Sequence, residues 1–253
     1  MLSVIIPSYK DPLLNKTIQS LLDNATGEVE IIPVLDGYRQ DVLEDARVHP
    51  IFLGTNGGQK NAVNTGIRMA RGEYIARSDE HCMFGPGYDE ITQHMEPNWV
   101  VTPRRYFLDP EKWEVMDKEP VDYEKLIIKE TPRKFSGQWW PSRQKERKDV
   151  MIDETMMIQG SFWVCRKDWF EKTVGSFSNR YGDHYQDQAE LAFKTWQNGG
   201  KLMVNKNYWF AHKHRDFART HHYSHSKAQP GWDAMLEDFE EYYKNTLRDT
   251  WEI

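Results

Sequence analysis

The residues whose types could do chemistry cluster at a few points. Asp79-Glu80-His81 follows residues 73–78, which read as a strand. At a strand end alternate side chains point the same way, so Asp79 and His81 share a face and Glu80 points away. One carboxylate and one imidazole on a common face make two ligands for a divalent cation, with room for water or phosphate oxygens. Manganese suits this mixed oxygen and nitrogen set better than magnesium, which prefers oxygen and retains its waters. On spacing alone, a capping aspartate beside a surface histidine is the plainer reading. Asp36 ends a second apolar run, residues 29–35. It could accept from a base N–H or a ribose hydroxyl, or belong to an Asp36-Gly37 turn, and spacing does not separate the two. Gly54-Thr-Asn-Gly-Gly58 opens into a helix and could offer backbone N–H groups to phosphate. It lacks the Lys-Ser/Thr ending of a P-loop and the spacing of a dinucleotide fingerprint, which counts against both cofactor classes.

These groups need elements to position them. Residues 2–7 are apolar and bounded by Pro and Ser, as in a buried parallel strand. Asp11-Pro12 reads as a helix start, with Leu13, Leu14, Ile18, Leu21 and Leu22 forming one face. Residues 61–70 read as a helix capped by Gly72. Strand, helix, strand, loop, helix, strand is the pattern of an open α/β sheet, which binds ligands beyond the carboxyl ends of its strands. Pro7-Ser8-Tyr9, Asp36 and the 79–81 triplet all fall at such ends, so they should meet in one crevice. From about 103 to 154 the periodicity weakens, which reads as an excursion from the sheet. Residues 156–165 resume as a strand, 167–172 as a short helix and 187–198 as a helix stopped by Gly199-Gly200. Residues 201–205 and 208–211 read as two short strands. A His-rich loop over 212–231 precedes a last amphipathic helix, 232–247.

The chain has 253 residues, 33 Lys+Arg against 39 Asp+Glu, and 13% aromatic residues including ten Trp. That length holds one large domain, and the acidic balance argues against a bulk nucleic-acid binder. No apolar run approaches the roughly 20 residues of a membrane span. The first residues enter a strand-like run without a basic, apolar or small-residue leader pattern. Cys82 and Cys165 are too few for a disulfide framework. A cytoplasmic single-domain protein without stable membrane insertion is therefore expected.

Read together, the motifs are similar to a known family. Ser3-Val-Ile-Ile-Pro-Ser-Tyr9, Val34-Leu-Asp36, Asn56-Gly-Gly with Asn61 and Asn64-Thr-Gly66, Ala70-Arg-Gly-Glu-Tyr-Ile75 and Ser78-Asp-Glu-His81 resemble glycosyltransferase family 2, a GT-A fold. Asp-x-His in place of acidic-x-acidic, followed by Cys82, most resembles the catalytic domain of the polypeptide N-acetylgalactosaminyltransferases. The stretches Met157-Ile-Gln-Gly160-Ser-Phe-Trp-Val, Asp187-Gln-Ala-Glu190 through Trp196-Gln-Asn-Gly-Gly200, and Phe210-Ala-His212-Lys-His-Arg215 are similar to further motifs of that family. The resemblance implies a single α/β GT-A domain. Residues 1–102 would form its nucleotide-sugar-binding half, 103–212 its acceptor-side half, and 213–253 an active-site loop and C-terminal helix. That family's lectin domain and membrane anchor have no counterpart in the resemblance, so a compact enzyme unlike its animal members is expected.

The same resemblance implies a Mn2+-dependent enzyme with a UDP-sugar donor. Asp79, His81 and His212 would hold the metal. Pro7, Ser8, Tyr9, Asp36, Asn61, Arg77, Ser78, Asp79, Gly160 and Arg215 would bind the nucleotide sugar. Asp187 and Gln188 would be the catalytic pair, lining the sugar and acceptor side with Gln159-Gly160. Inverting members carry Glu-Asp where this chain has Asp187-Gln188, and an amide is no useful base. The retaining relatives carry Glu-Asn, so retention is expected, with inversion through Asp187 as the alternative. The acceptor stays open among a peptide, a glycan and a modified nucleobase. Other readings are a nucleotide-sugar-binding protein without transfer activity and a nucleotidyltransferase, for which the 7–11 turn is a poor triphosphate cradle.

Some features are less specific. Trp139-Trp140 could stack on a sugar or anchor a loop. The basic run 143–148 could steer an anionic acceptor or form a solvated loop. His214, His221, His222 and His225 suggest either a metal tract or a loop over the donor. Lys213, Arg215, Lys60 and Arg77 are candidates to meet a diphosphate.

Overall fold

The structure, a computed structural model, describes residues 1–182, 186–213 and 225–253. Its first half follows from the apolar runs. Strand β1 (Leu2–Ser8) is buried throughout and pairs in parallel with β2 (Val29–Asp36) and β4 (Tyr74–Ser78). β2 pairs in turn with β3 (Ile51–Leu53). Both faces of β1 are covered, which is why its sequence is continuously apolar rather than alternating. Leu2, Val4 and Ile6 pack with Leu14, Ile18 and Leu21 of α1 (Leu14–Asn24). Ile5 packs on the other side with Ala62, Val63 and Ile67 of α2 (Gln59–Met69). A Cβ at Gly66 would lie 2.4 Å from Ile5 Cγ2, so this glycine lets α2 approach the sheet closely.

Two boundaries differ from the sequence reading. Helix α1 starts at Leu14, because Asp11 Oδ1 takes the Leu13 N–H at 2.9 Å and closes a turn ahead of the helix. Helix α2 ends in extended backbone at Ala70, so Gly72 is not its cap. A Cβ at Gly72 would meet Ser3 Oγ at 2.6 Å, and the glycine serves that close approach instead.

The second half completes one ten-stranded mixed sheet. Next come β5 (Cys82–Phe84), β6 (Trp99–Asp109), β7 (Glu114–Val115) and the hairpin β8 (Glu124–Glu130) with β9 (Arg133–Trp139). Helix α3 (Pro141–Glu146), β10 (Ile152–Glu154), β11 (Phe162–Arg166), α4 (Lys167–Thr173), α5 (Asp187–Gln197) and β12 (Lys201–Lys213) follow. The main path runs β10-β12-β6-β11-β4-β1-β2-β3, with β5 on β12 and β7 on β6.

The supposed excursion therefore begins late, since residues 103–109 belong to β6 in the middle of the sheet. The strand expected over 156–165 is confined to β11, and Met156, Met157 and Ile158 reach the core from a connecting segment. The two strands expected after Gly200 are one, with a register irregularity between Asn205 and Trp209. The last helix, α6 (His225–Tyr242), starts earlier than expected and contains Pro230. It continues as a π-helical turn, Tyr243–Leu247, and α7 (Arg248–Thr250). Pro230-Gly231 looked like a boundary, but a Cβ at Gly231 would lie 2.5 Å from the Tyr181 backbone, so the glycine permits a contact. Among the described residues, no helix is long and apolar enough to cross a membrane.

Candidate metal centre

Strand β4 ends at Ser78 and hands Asp79 to a turn at the carboxyl edge of the sheet. The Asp79 N–H donates to Ser161 O at 2.8 Å, fixing that turn against the entry to β11. Asp79 Oδ2 lies 3.0 Å from His212 Nε2 and 4.0 Å from His81 Nε2. The two imidazole rings stand 4.9 Å apart. His212 comes from β12, in register with Cys82 at the start of β5. One carboxylate and two histidines from distant parts of the chain thus bring ligand atoms within 4.8 Å of one another. Donors about 2.1 Å from a common ion stand about 3 Å apart when they meet it at right angles. This donor set fits a divalent cation that accepts both nitrogen and oxygen.

The electrostatics suit that role at Asp79 and His212. Burial works to raise the Asp79 carboxyl, but the Arg77 guanidinium at 2.7 Å and the contact with His212 hold it well below the usual range. Burial and the neighbouring His81 push His212 down to about 4, so its imidazole is neutral. Burial also lowers His81, but the hydrogen bond to Asp11 and the Asp79 charge outweigh it and raise it. His81 Nδ1–H donates to Asp11 Oδ2 at 3.0 Å, which leaves Nε2 toward Asp79. A carboxylate behind a ligating histidine fixes ring orientation and tautomer. Glu80 turns the other way and accepts the Tyr9 N–H at 3.0 Å. Burial and the Asp11 charge push its carboxyl up to about 8. His81 thus stands between the two carboxylates, with Nε2 toward Asp79 and Nδ1 on the side of Asp11 and Glu80, an arrangement made by a turn rather than by a continued strand. Asp11, Glu80 and His81 form a second ligand-type group, which shares His81 with the first.

The remaining candidates surround this centre or stand apart from it. Pro7 and Ser8 end β1 beside β2, and Ser78 Oγ donates to the Asp79 carbonyl at 2.9 Å. Asp36 accepts the Gly57 N–H at 2.8 Å and the Gly58 N–H at 2.9 Å. Two of the N–H groups expected to face phosphate thus hold Asp36 instead. The Asn61 amide lies over Gly57, where a Cβ would approach it to 2.5 Å. Arg77 is 3% exposed, and its Nε and Nη1 carry no hydrogen bond among the described residues.

Lys60 does not reach toward a diphosphate. It is fully buried, 3.2 Å from Glu190, and it joins α2 to α5. Asp187 begins α5 and takes a hydrogen bond from Gln59 Nε2 at 3.2 Å. Gln188 packs on the 159–160 turn, where a Cβ at Gly160 would stand 2.9 Å from Gln188 Oε1. Lys213 donates its N–H to the His81 carbonyl at 3.1 Å. Arg215, His214, His221 and His222 lie outside the described residues, as does the His225 side chain.

Two less specific features resolve into structure. Trp140 packs edge-on against Trp251 with centroids 6.0 Å apart, while Trp139 is 39% exposed. Arg143 and Arg147 of the basic run pair with Asp153 at 3.4 and 2.9 Å, Arg147 remaining partly exposed, so both are engaged within the fold. Sequence reasoning missed Asp11 as the support of His81, because the two are 70 residues apart and Asp11-Pro12 has a sufficient local explanation.

Residues 3–174 match the sequence profile of glycosyl transferase family 2. The chain belongs to that family. It has the GT-A architecture, a mixed sheet flanked by helices. It is 34% identical over 108 residues to the uncharacterized glycosyltransferase EpsJ of Bacillus subtilis, a match covering 39% of this chain and 31% of that one. It is 24% identical over 206 residues to the glycosyltransferase GlyG of Streptococcus pneumoniae, covering 76% of this chain and 64% of that one. The chain thus spans less than two thirds of both curated relatives. Among solved structures, GalNAc-T7 crystallised with UDP, GalNAc and Mn2+ superposes on this family 2 chain with a TM-score of 0.77. The superposition covers 96% of this chain and 50% of GalNAc-T7 at 15% sequence identity, a likeness of fold.

Proposed function

We propose that the protein is a metal-dependent glycosyltransferase that moves a hexosyl or N-acetylhexosaminyl group from a UDP-sugar to a hydroxyl acceptor with retention. The convergence of Asp79, His81 and His212 carries this reading, since one carboxylate oxygen and two imidazole nitrogens lie within 4.8 Å of one another, a mixed oxygen and nitrogen donor set that suits a divalent cation. Mn2+ in this donor set would supply Lewis-acid stabilisation of the departing diphosphate. Arg77 keeps Asp79 ionised, and Asp11 holds His81 with Nε2 turned inward. Pro7, Ser8, Tyr9 and Asp36 border the nucleoside side, with Asp36 acting through the glycine loop that it holds. Ser78, Asn61 and Arg215 complete the donor side of this assignment.

In the reaction the bond from the sugar anomeric carbon to the β-phosphate oxygen breaks, and a bond to the acceptor oxygen forms on the same face. The acceptor proton passes to the departing phosphate. Retention is favoured by Gln188, an amide where inverting relatives carry a base, and by Asp187, which is buried and already accepts from Gln59. A cytoplasmic setting belongs to this reading and agrees with two buried free cysteines. A panel of UDP- and GDP-sugars, each with Mn2+, Mg2+ and EDTA, tests it. Manganese-dependent release of UDP from one donor is expected. UDP-sugar binding with no release, even with acceptors supplied, would mark a binding protein instead.

A further inference from the structure

Beside the metal centre the acceptor half carries a second polar group that the metal reading does not use. Glu124, the first residue of β8, is 14% exposed and lies 3.8 Å from the Arg105 guanidinium on β6. The Gln159 amide donates to Glu124 Oε1. The Glu124 carbonyl accepts the Met157 N–H at 3.0 Å and the Thr155 hydroxyl at 3.3 Å. Glu124 and the 155–160 segment therefore form one hydrogen-bonded wall. A carboxylate supported this way keeps its geometry when a ligand arrives.

The wall adjoins the centre through the 159–161 segment. Two residues beyond Gln159, the Ser161 carbonyl takes the Asp79 N–H at 2.8 Å. Two residues of chain span at most about 7 Å. Arg105 links the two groups, since it lies 3.8 Å from Glu124 and stands in register with Phe210 on β12, two residues before His212. On the other flank, Gly160 abuts Gln188 at the start of α5. Space for the carboxylate is built in, since a Cβ at Gly137 on β9 would lie 2.6 Å from Glu124 Oε2.

We propose that Glu124, braced by Arg105 and Gln159, is a specificity-determining residue that accepts hydrogen bonds from hydroxyls of the transferred sugar. This rests on the nucleotide-sugar reading above. A metal-bound diphosphate would put its sugar one phosphate ester beyond the metal, a reach that includes the 159–161 segment tied to Asp79. A carboxylate accepts from two adjacent hydroxyls at once, and such charge-assisted bonds are the stronger kind. The assignment gives the hairpin β8–β9 a task in reading the donor, apart from any task with the acceptor.

The test uses the full chain with Mn2+ and compares calorimetric binding of UDP with that of UDP-glucose, UDP-galactose and their N-acetyl forms. Donor hydrolysis is followed in parallel. Glu124→Gln keeps the shape and removes the charge, and Gly137→Ala displaces the carboxylate without changing it. Both variants should bind UDP within about twofold of wild type. Affinity for the hydrolysed UDP-sugar should fall about 10- to 100-fold, the range of a hydrogen bond to a charged group. Wild-type sugar binding in Glu124→Gln, equal loss of UDP and UDP-sugar, or a change confined to acceptor-dependent rates would each overturn the assignment. If the wild-type protein itself binds no UDP, the nucleotide-sugar reading fails first and this inference with it.

Discussion

Two clusters of charge sit between strands of this protein, and they are built on opposite rules. Around Asp153 the carboxylate is fully engaged. One carboxylate accepts from Arg143, Arg147 and the Tyr123 hydroxyl, the last at 3.0 Å. Around Asp79 the complement is short. Arg77 takes one oxygen, and two imidazole nitrogens converge on the other. A closed cluster of the first kind fixes a fold, because any partner removed leaves a buried charge behind. The second kind leaves donors aimed at common space, where a further charge can be bound. Buried polar residues become candidates for chemistry when their lone pairs converge, more than when they are merely numerous.

The sharpest way to break this comparison is to remove a converging group. His212→Ala and His81→Ala should each lower manganese-dependent donor turnover by at least about 10^3-fold, with an unchanged circular dichroism spectrum. Full turnover in either variant would leave Asp79 a structural aspartate like Asp153.

Lys60→Met probes the closed kind of cluster in its most buried form. The Lys60–Glu190 pair is fully buried, and breaking such a pair costs about 3–5 kcal/mol. Glu190 keeps Lys194 at 2.7 Å and the Ser178 N–H at 2.9 Å, so a loss near about 3 kcal/mol is expected in urea denaturation. Metal affinity per folded molecule should not change. A variant as stable as wild type would show that this pair contributes nothing net.

The same contrast explains what could be read in the sequence. β1 and β2 were legible because both of their faces are covered, so burial writes itself as apolar runs. Asp79, His81 and His212 were recoverable from motifs, since short strand-end segments keep their residue order. β6 beyond Pro103 was not. There Arg104 is held by both oxygens of Asp122 at 2.7 Å, and Arg105 faces Glu124, so polar residues lie within the sheet at the cost of ion pairs. Hydrophobic periodicity cannot register burial of that kind. Lys60 was misread for the same reason, since a lysine near a glycine loop looks like a phosphate ligand until Glu190 appears 130 residues away. The link from Asp11 to His81 has no local signature at all.

Asp11→Asn is the next smaller effect and tests the support behind the convergence. Such carboxylates behind ligating histidines are worth about 10- to 100-fold in metal affinity. Mn2+ binding measured directly should weaken by that factor, while stability changes little because an asparagine oxygen can still accept the Leu13 N–H. Unchanged Mn2+ affinity would reduce Asp11 to a turn-forming residue.

The smallest effect belongs to the closed cluster and concerns pH. Burial works to raise the Asp153 carboxyl, but hydrogen bonds from Arg147 and Tyr123 and the charge of Arg143 outweigh it, so it is lowered in the folded protein. The folded state therefore binds that proton less readily than the unfolded chain. The resulting stability is fully present above the ordinary aspartate value of about 4 and is lost as pH falls through the lower folded value. Asp153→Asn removes the titration and leaves the arginines unneutralised. The variant should be less stable than wild type at pH 7, and the gap should narrow steadily from about pH 5 to pH 3. A gap that stays constant over that interval would mean Asp153 contributes by packing alone, and the cluster would lose its claim to be held by charge.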